Sequence, residues 1–286
     1  MTSIKVVTDS TVGLSLDGLD ELEVDMVPLT VNFANQFFAD KVDISSEQFF
    51  KKLKEVQELP TTSQPAMGKF KEKYLELADD YDTIISIHLS SKLSGTYRSA
   101  KLAADRVQEE KDIDIRVIDS KSASLGIGFL VLYAIEAIKQ GLVIEEIVTG
   151  IERRVEAVTV LFTVDTLEYL EKGGRIGKAS AFVGNLLNIK PILKVNETGE
   201  VDLYSKVRGK KRLFKKVKRL VKRELDNRNL SIDPKLGLLH GDAKKDLDNL
   251  EAELEGLTDW DNIMTSEISP VLGTHIGPGA LGIVIL

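Results

Sequence analysis

The stretch Ile84–Ala100 constrains this chain most, because it reads as a strand, a hydroxyl-rich loop and a helix start in direct succession. Ile84, Ile85, Ile87 and Leu89 make its opening apolar and largely β-branched, the pattern of a buried strand. Ser90, Ser91, Ser94, Gly95, Thr96 and Ser99 then take over. Beyond Gly95, the spacing of Ala100, Ala103, Ala104 and Val107 is that of one helix face. A strand that feeds a helix through such a loop can cradle an anion, since a helix N-terminus offers unpaired N–H groups and partial positive charge. The hydroxyl of Ser94 or Thr96 would add a donor. The plainer reading is that Ser94 only caps its helix.

The same alternation continues on both sides. Ile4–Thr8, Val24–Asn32 and Ile115–Ile118 read as strands, with Pro28 marking the second as an edge or an irregular strand. Ser45 with Gln48 forms a capping box for a helix to about Val56. Further helices are predicted from Pro65 to Leu77, up to Gln140 where Gly141 stops the pattern, and over Ile144–Val155. Strands alternating with helices imply a parallel sheet, whose ligands gather beyond the strands' carboxyl ends. Asp9-Ser10-Thr11 is a candidate wall of such a site. So is Leu59–Ala66, where two prolines hold an extended loop presenting Thr61, Thr62 and Ser63.

Near residue 158 the pattern changes. A strand over Val158–Val164 leads into the loop Asp165–Gly177, and a hairpin turns at Asn196–Glu200 between Ile189–Val195 and Val201–Tyr204. A basic helix covers about Lys210–Arg228. Strands Leu236–His240 and Ile263–Ile268 flank a helix over Lys244–Leu254, and a last strand closes the chain. The predicted fold class is therefore α/β with two domains: a parallel-sheet domain over 1–157 and a mixed-sheet α+β domain over 158–286, packed closely because no linker separates them.

At 286 residues the chain can bury a substantial core, and 43% hydrophobic with 29% charged residues is the balance of a soluble globular protein. Cysteine is absent, which removes disulfides and thiolate metal sites and is compatible with a reducing cytoplasm. Ile4–Thr8 follows Met1 with no apolar signal-peptide core before it, and no apolar run reaches the roughly 20 residues of a membrane span. A cytoplasmic location is expected. The net charge of −7 argues against nucleic acid as a general partner.

Several constellations are weaker than their letters suggest. Gly277–Gly282 spells G-x-G-x-x-G, but only four residues follow it, so no dinucleotide-binding helix can. Three dispersed histidines without cysteine make no zinc site, and no metal or cofactor is expected. Ser94 with His275 suggests a serine hydrolase or acyltransferase, yet no G-x-S-x-G elbow accompanies them. Lys206–Arg228 holds 12 of the 38 basic residues. That helix is either a solvated face or a surface for an acidic partner or an anionic membrane.

Thr8–Thr11, Thr62–Pro65, Ser90–Tyr97, Phe162–Ile176, Asn188–Ile192 and His275–Gly279 together resemble the DegV family of bacterial fatty-acid-binding proteins. The likeness runs from residue 4 to the C-terminus, and departs at Ala66, where the family often has serine. It implies two α/β domains with a long-chain fatty acid buried between them. Thr62 and Ser94 would bond the carboxylate, with the Gly95 N–H and His275 close by. It further implies a non-catalytic carrier that presents this carboxylate to a separate ATP-dependent fatty acid kinase subunit, which converts it to acyl phosphate. Arg175, between glycines and so expected on an exposed loop, would dock that partner. A transient contact with the membrane surface through the basic helix completes the expected partners.

Overall fold

In the computed structural model, which describes residues 3–182, 189–227, 232–257 and 263–286, the first half alternates as its sequence patterns require. β1 (Ile4–Asp9), α1 (Leu16–Glu21), β2 (Asp25–Val27), β3 (Thr30–Phe33), β4 (Gln36–Ala39), α2 (Ser46–Leu53) and β5 (Thr61–Ser63) come first. α3 (Met67–Leu77), β6 (Thr83–His88), α4 (Thr96–Glu110), β7 (Asp114–Asp119), α5 (Leu125–Lys139) and α6 (Ile144–Ala157) follow. The second half holds β8 (Thr159–Thr163), α7 (Glu168–Lys172), β9 (Ile189–Val195), β10 (Val201–Arg208) and α8 (Lys210–Asn227). β11 (Leu236–Gly241), α9 (Lys244–Leu254), β12 (Met264–Glu267), α10 (Pro270–Ile276) and β13 (Ala280–Ile285) complete it.

Among the described residues these strands form three sheets. Order β2-β1-β6-β7 is parallel throughout, and every residue of β6 is buried, Ile84, Ile85 and Ile87 together with the polar Thr83, Ser86 and His88, as a central strand covered on both faces requires. Order β10-β9-β8-β13-β11-β12 is mixed, with only β11 and β12 parallel. The N-terminal region is thus a parallel α/β layer and the C-terminal region a mixed-sheet layer. The third sheet, β4-β3-β5, is small and antiparallel.

Packing explains the layers. Ala100, Ala103, Ala104 and Val107 of α4 meet Phe70 and Tyr74 of α3 over Ile84 and Ile115. α5 is apolar on nearly all sides (Leu125, Ile127, Phe129, Leu130 and Val131 are fully buried) because it lies against β1, β6 and β13 alike. One core therefore runs from Val6 and Ile87 through Phe129 to Val160 and Val284. On the other face of the mixed sheet, Leu213, Val217, Leu220 and Val221 of α8 pack with Leu247, Leu250 and Leu254 of α9. Burying those four α8 side chains stabilises the fold by at most about 6–12 kcal/mol.

Several elements differ from the sequence reading. The strand expected over Val24–Asn32 is two strands in different sheets, β2 and β3, and Pro28 stands at the break. The loop expected over Leu59–Ala66 contains β5, and the helix assigned to Pro65 starts at Met67, with Ala66 as its N-cap. α7 occupies a stretch read as loop and α10 one assigned no element, both too short for a helical period to show. Asn188 and Arg228 lie outside the described residues.

Candidate functional site

The parallel sheet, the small antiparallel sheet and the mixed sheet leave a cavity of about 360 Å³ between them. Thr62, Gln64, Ser94, Arg175 and His275 all face it, and its remaining wall is mostly apolar, with Leu89, Leu93, Val160, Phe162, Leu239 and Ile268 from both halves of the chain. Arg175 is the one charged residue among the described lining residues.

Each polar group is placed by its own element. β5 pairs with β3, Thr62 opposite Val31, and this carries the threonine to α10. There Thr62 Oγ1 lies 2.8 Å from His275 Nε2. Gln64, two residues on, donates from Nε2 to Ser99 Oγ at 2.9 Å, so the β5 segment is fastened to α4. That contact needs Gly95, because a Cβ there would lie 2.0 Å from Gln64 Oε1. The loop bounded by Pro60 and Pro65 and the hydroxyl cradle therefore do face each other.

Ser94 does not cap α4, which removes the plainer of its two readings; Gly95 holds the N-cap position and makes no side-chain cap. The Ser94 hydroxyl lies 2.9 Å from Thr96 Oγ1 and accepts weakly from Thr96 N–H at 3.3 Å, so it retains bonding capacity toward the cavity. Gly95 is not among the lining residues. Its place is at the N-terminal end of α4, beside Ser94.

Arg175 corrects a second expectation. It is half-buried rather than held out on an exposed loop, donating from Nε to Leu93 O at 3.1 Å and from Nη1 to Gly173 O at 2.8 Å. A Cβ on Gly173 would lie 2.3 Å from His275 Nδ1, which shows how tightly this turn approaches the imidazole. Burial, then the Arg175 charge, pushes the His275 pKa down to about 4. The ring is neutral at pH 7. Nδ1 is buried without a hydrogen-bond partner. A cation nearby favours a lone pair at Nδ1 over an N–H, so we assign the proton to Nε2, donating to Thr62 Oγ1. The Thr62 hydroxyl is then free to donate onward. A hydrolase would need the opposite arrangement, with an imidazole bonded to the serine and oriented by a carboxylate.

The structure brings the expected Thr62, Ser94 and His275 to one cavity, whereas its apolar wall and Gln64 were not among the sequence candidates. Leu89 or Phe162 reads as core in one sequence, because a residue facing a cavity and one facing a neighbour have the same pattern.

The DegV family profile matches residues 3–286. The chain belongs to the DegV family. A DegV domain-containing protein of Clostridium acetobutylicum is 37% identical over 286 residues, covering 100% of this chain and 99% of the relative. A DegV family protein from Thermus thermophilus, described for its fatty acid binding, superposes with a TM-score of 0.91 at 35% identity, covering 99% of each chain. A stearic acid-binding protein from Eubacterium ventriosum gives 0.90 at 26% identity, with 99% of this chain and 97% of that one covered. No helix among the described residues is long and apolar enough to cross a membrane.

Proposed function

We propose that this protein binds a long-chain fatty acid in the cavity and presents its carboxylate to a separate ATP-dependent kinase subunit, without catalysing a reaction alone. The observation that carries this reading is the cavity's composition: an apolar wall, one cation, and hydroxyl and imidazole groups joined through Thr62–His275 and Arg175–Leu93. Such a wall suits a ligand with one anionic end and a long apolar remainder, and the fatty acid binding of the relatives supports the same class.

The carboxylate is proposed to accept from Thr62 Oγ1, Ser94 Oγ and the Gly95 N–H, with His275 orienting Thr62 and Arg175 supplying charge. Each charge-assisted hydrogen bond is worth about 1.5–3 kcal/mol and each buried CH₂ about 0.8 kcal/mol, so a long tail sets affinity and the polar cluster sets orientation. Phosphorylation by the partner would then leave an acyl phosphate on the carrier. Docking at Arg175 is proposed to act through the cavity mouth, with the basic face of α8 steering an acidic partner or resting briefly on an anionic membrane. We propose a cytoplasmic location, where ATP is available, and a domain boundary at 157/158, between α6 and β8.

The hydrolase alternative is disfavoured by the His275–Thr62 pairing. Mass spectrometry of lipid extracted from the purified protein should find intact fatty acid, and a fluorophosphonate should leave Ser94 unlabelled. Labelling of Ser94 would instead favour the hydrolase.

A further inference from the structure

α10 is attached to the small antiparallel sheet at both of its ends. At the C-terminal end His275 meets Thr62 of β5. At the N-terminal end Val271 N–H donates to Asp40 Oδ1 at 3.3 Å, and Asp40 directly follows β4 of the same sheet. Asp40 is wholly buried. Its other oxygen accepts from Ser10 Oγ at 2.7 Å, and Ser10 Oγ in turn accepts from Leu29 N–H at 3.1 Å. The Asp40 N–H donates to Leu29 O at 2.9 Å. This carboxylate therefore ties the β1 loop, the small sheet and α10 together. It is not a lining residue, although Val271, Leu272, His275 and Ile276 of the helix it holds are.

A buried carboxylate is costly, and an apolar side chain of similar size would fill the space with less penalty. Its retention calls for a positional account. α10 has seven residues, and its Ser269 cap is long, at 3.5 Å to Leu272 N, so the helix is too short to fix its own orientation. It rests midway on α2, where a Cβ on Gly273 would lie 2.7 Å from the Phe49 ring and 2.9 Å from the Phe50 ring. A helix of that length spans about 10 Å, so pivoting by about 10° about its middle displaces each end by about 1 Å. That exceeds the tolerance of a hydrogen bond.

We infer that Asp40 is a positioning residue, which sets the register of α10 on the β4-β3-β5 sheet so that His275 meets Thr62. The inference rests on the reading of Thr62 and His275 as head-group residues. Asp40 never touches the ligand. The neighbouring Lys41 ammonium does not substitute for the clamp, since it is spent on the carbonyls of Val12 and Leu14.

The test compares wild type, Asp40→Asn, Asp40→Ala and Thr62→Ala. His275 ring resonances are recorded on ligand-free protein and assigned with His275→Gln, and release of labelled oleate is timed. Asp40→Asn keeps an acceptor for Val271 N–H and should hold the wild-type ring shifts and a release rate within twofold. Asp40→Ala should move the ring resonances toward those of Thr62→Ala and speed release at least tenfold, and adding Thr62→Ala should change the ring no further. If Asp40→Ala fails to fold, Asp40→Leu, which fills the same space without an acceptor, takes its place and should shift His275 equally. Wild-type His275 resonances in folded Asp40→Ala or Asp40→Leu would overturn the inference. Failure of wild type to bind oleate would instead overturn the head-group reading, because the ring measurement uses no ligand.

Discussion

In the ligand-free protein Asp40 and His275 should make opposite contributions to acid stability, and removing either exposes the other. Burial raises Asp40 from 3.8 to about 6, and burial with the Arg175 charge lowers His275 from 6.5 to about 4. The folded chain binds a proton at Asp40 more readily than the unfolded chain, so this contribution is full below about pH 4 and is lost as pH rises through 6. His275 behaves in the reverse sense: its contribution is full above pH 6.5 and is lost as pH falls toward 4. At about 1.4 kcal/mol per unit, each shift of roughly two units amounts to about 3 kcal/mol, reduced to about 2 for His275 by its partial access to solvent. Between pH 6.5 and 4 the two nearly cancel. Asp40→Asn removes one side, so its unfolding free energy should fall by about 2–3 kcal/mol more than that of wild type over this interval. His275→Gln should show the opposite difference. Urea unfolding of delipidated proteins at pH 6.5, 5.5, 4.5 and 4.0 measures this, and carboxylates common to all three proteins cancel in the comparison. Parallel curves for wild type and Asp40→Asn would mean that the Asp40 carboxyl titrates no differently in the folded and unfolded chains.

Ser94→Ala and Thr62→Ala should remain folded yet release bound fatty acid faster. Thr62→Ala should also lose about 1–3 kcal/mol, because it strands the His275 Nε2 proton; ligand content and melts on one preparation check both. Gly95→Ala should weaken retention too, since the new methyl group must displace Gln64 from Ser99; restoration by Gln64→Ala would identify that cause. Arg175→Ala should cut phosphorylation by the proposed partner kinase more than it cuts bound lipid, and a kinase assay normalised to ligand content separates the two. Charge reversals at Lys215, Lys218 and Lys222 should slow association with that partner at low salt and matter little at 0.5 M, as a Debye length of a few Å requires.

The fold was legible where periodicity is long. β6, α4 and the hairpin of β9 and β10 stand where repeated apolar spacing and turn chemistry put them. β4, β5, α7 and α10 were missed because three to seven residues hold no full pattern. The site was legible in part for a related reason. Hydroxyls beside prolines and glycines mark Thr62 and Ser94, but the Thr62–His275 contact joins residues 213 positions apart. Arg175 misled because flanking glycines suggest exposure, whereas here Gly173 permits close approach to an imidazole. Asp40 gave no signal at all, since a lone aspartate after a strand reads as a turn.

Whether a fatty acid carboxylate sits among Thr62, Ser94 and His275 is decided by ¹³C NMR of bound [1-¹³C]palmitate. One carboxylate resonance is expected, ionised and unmoved from pH 8 to pH 5, that shifts in Thr62→Ala and in Ser94→Ala alike. A resonance that titrates like free fatty acid, or that ignores both substitutions, would contradict that placement.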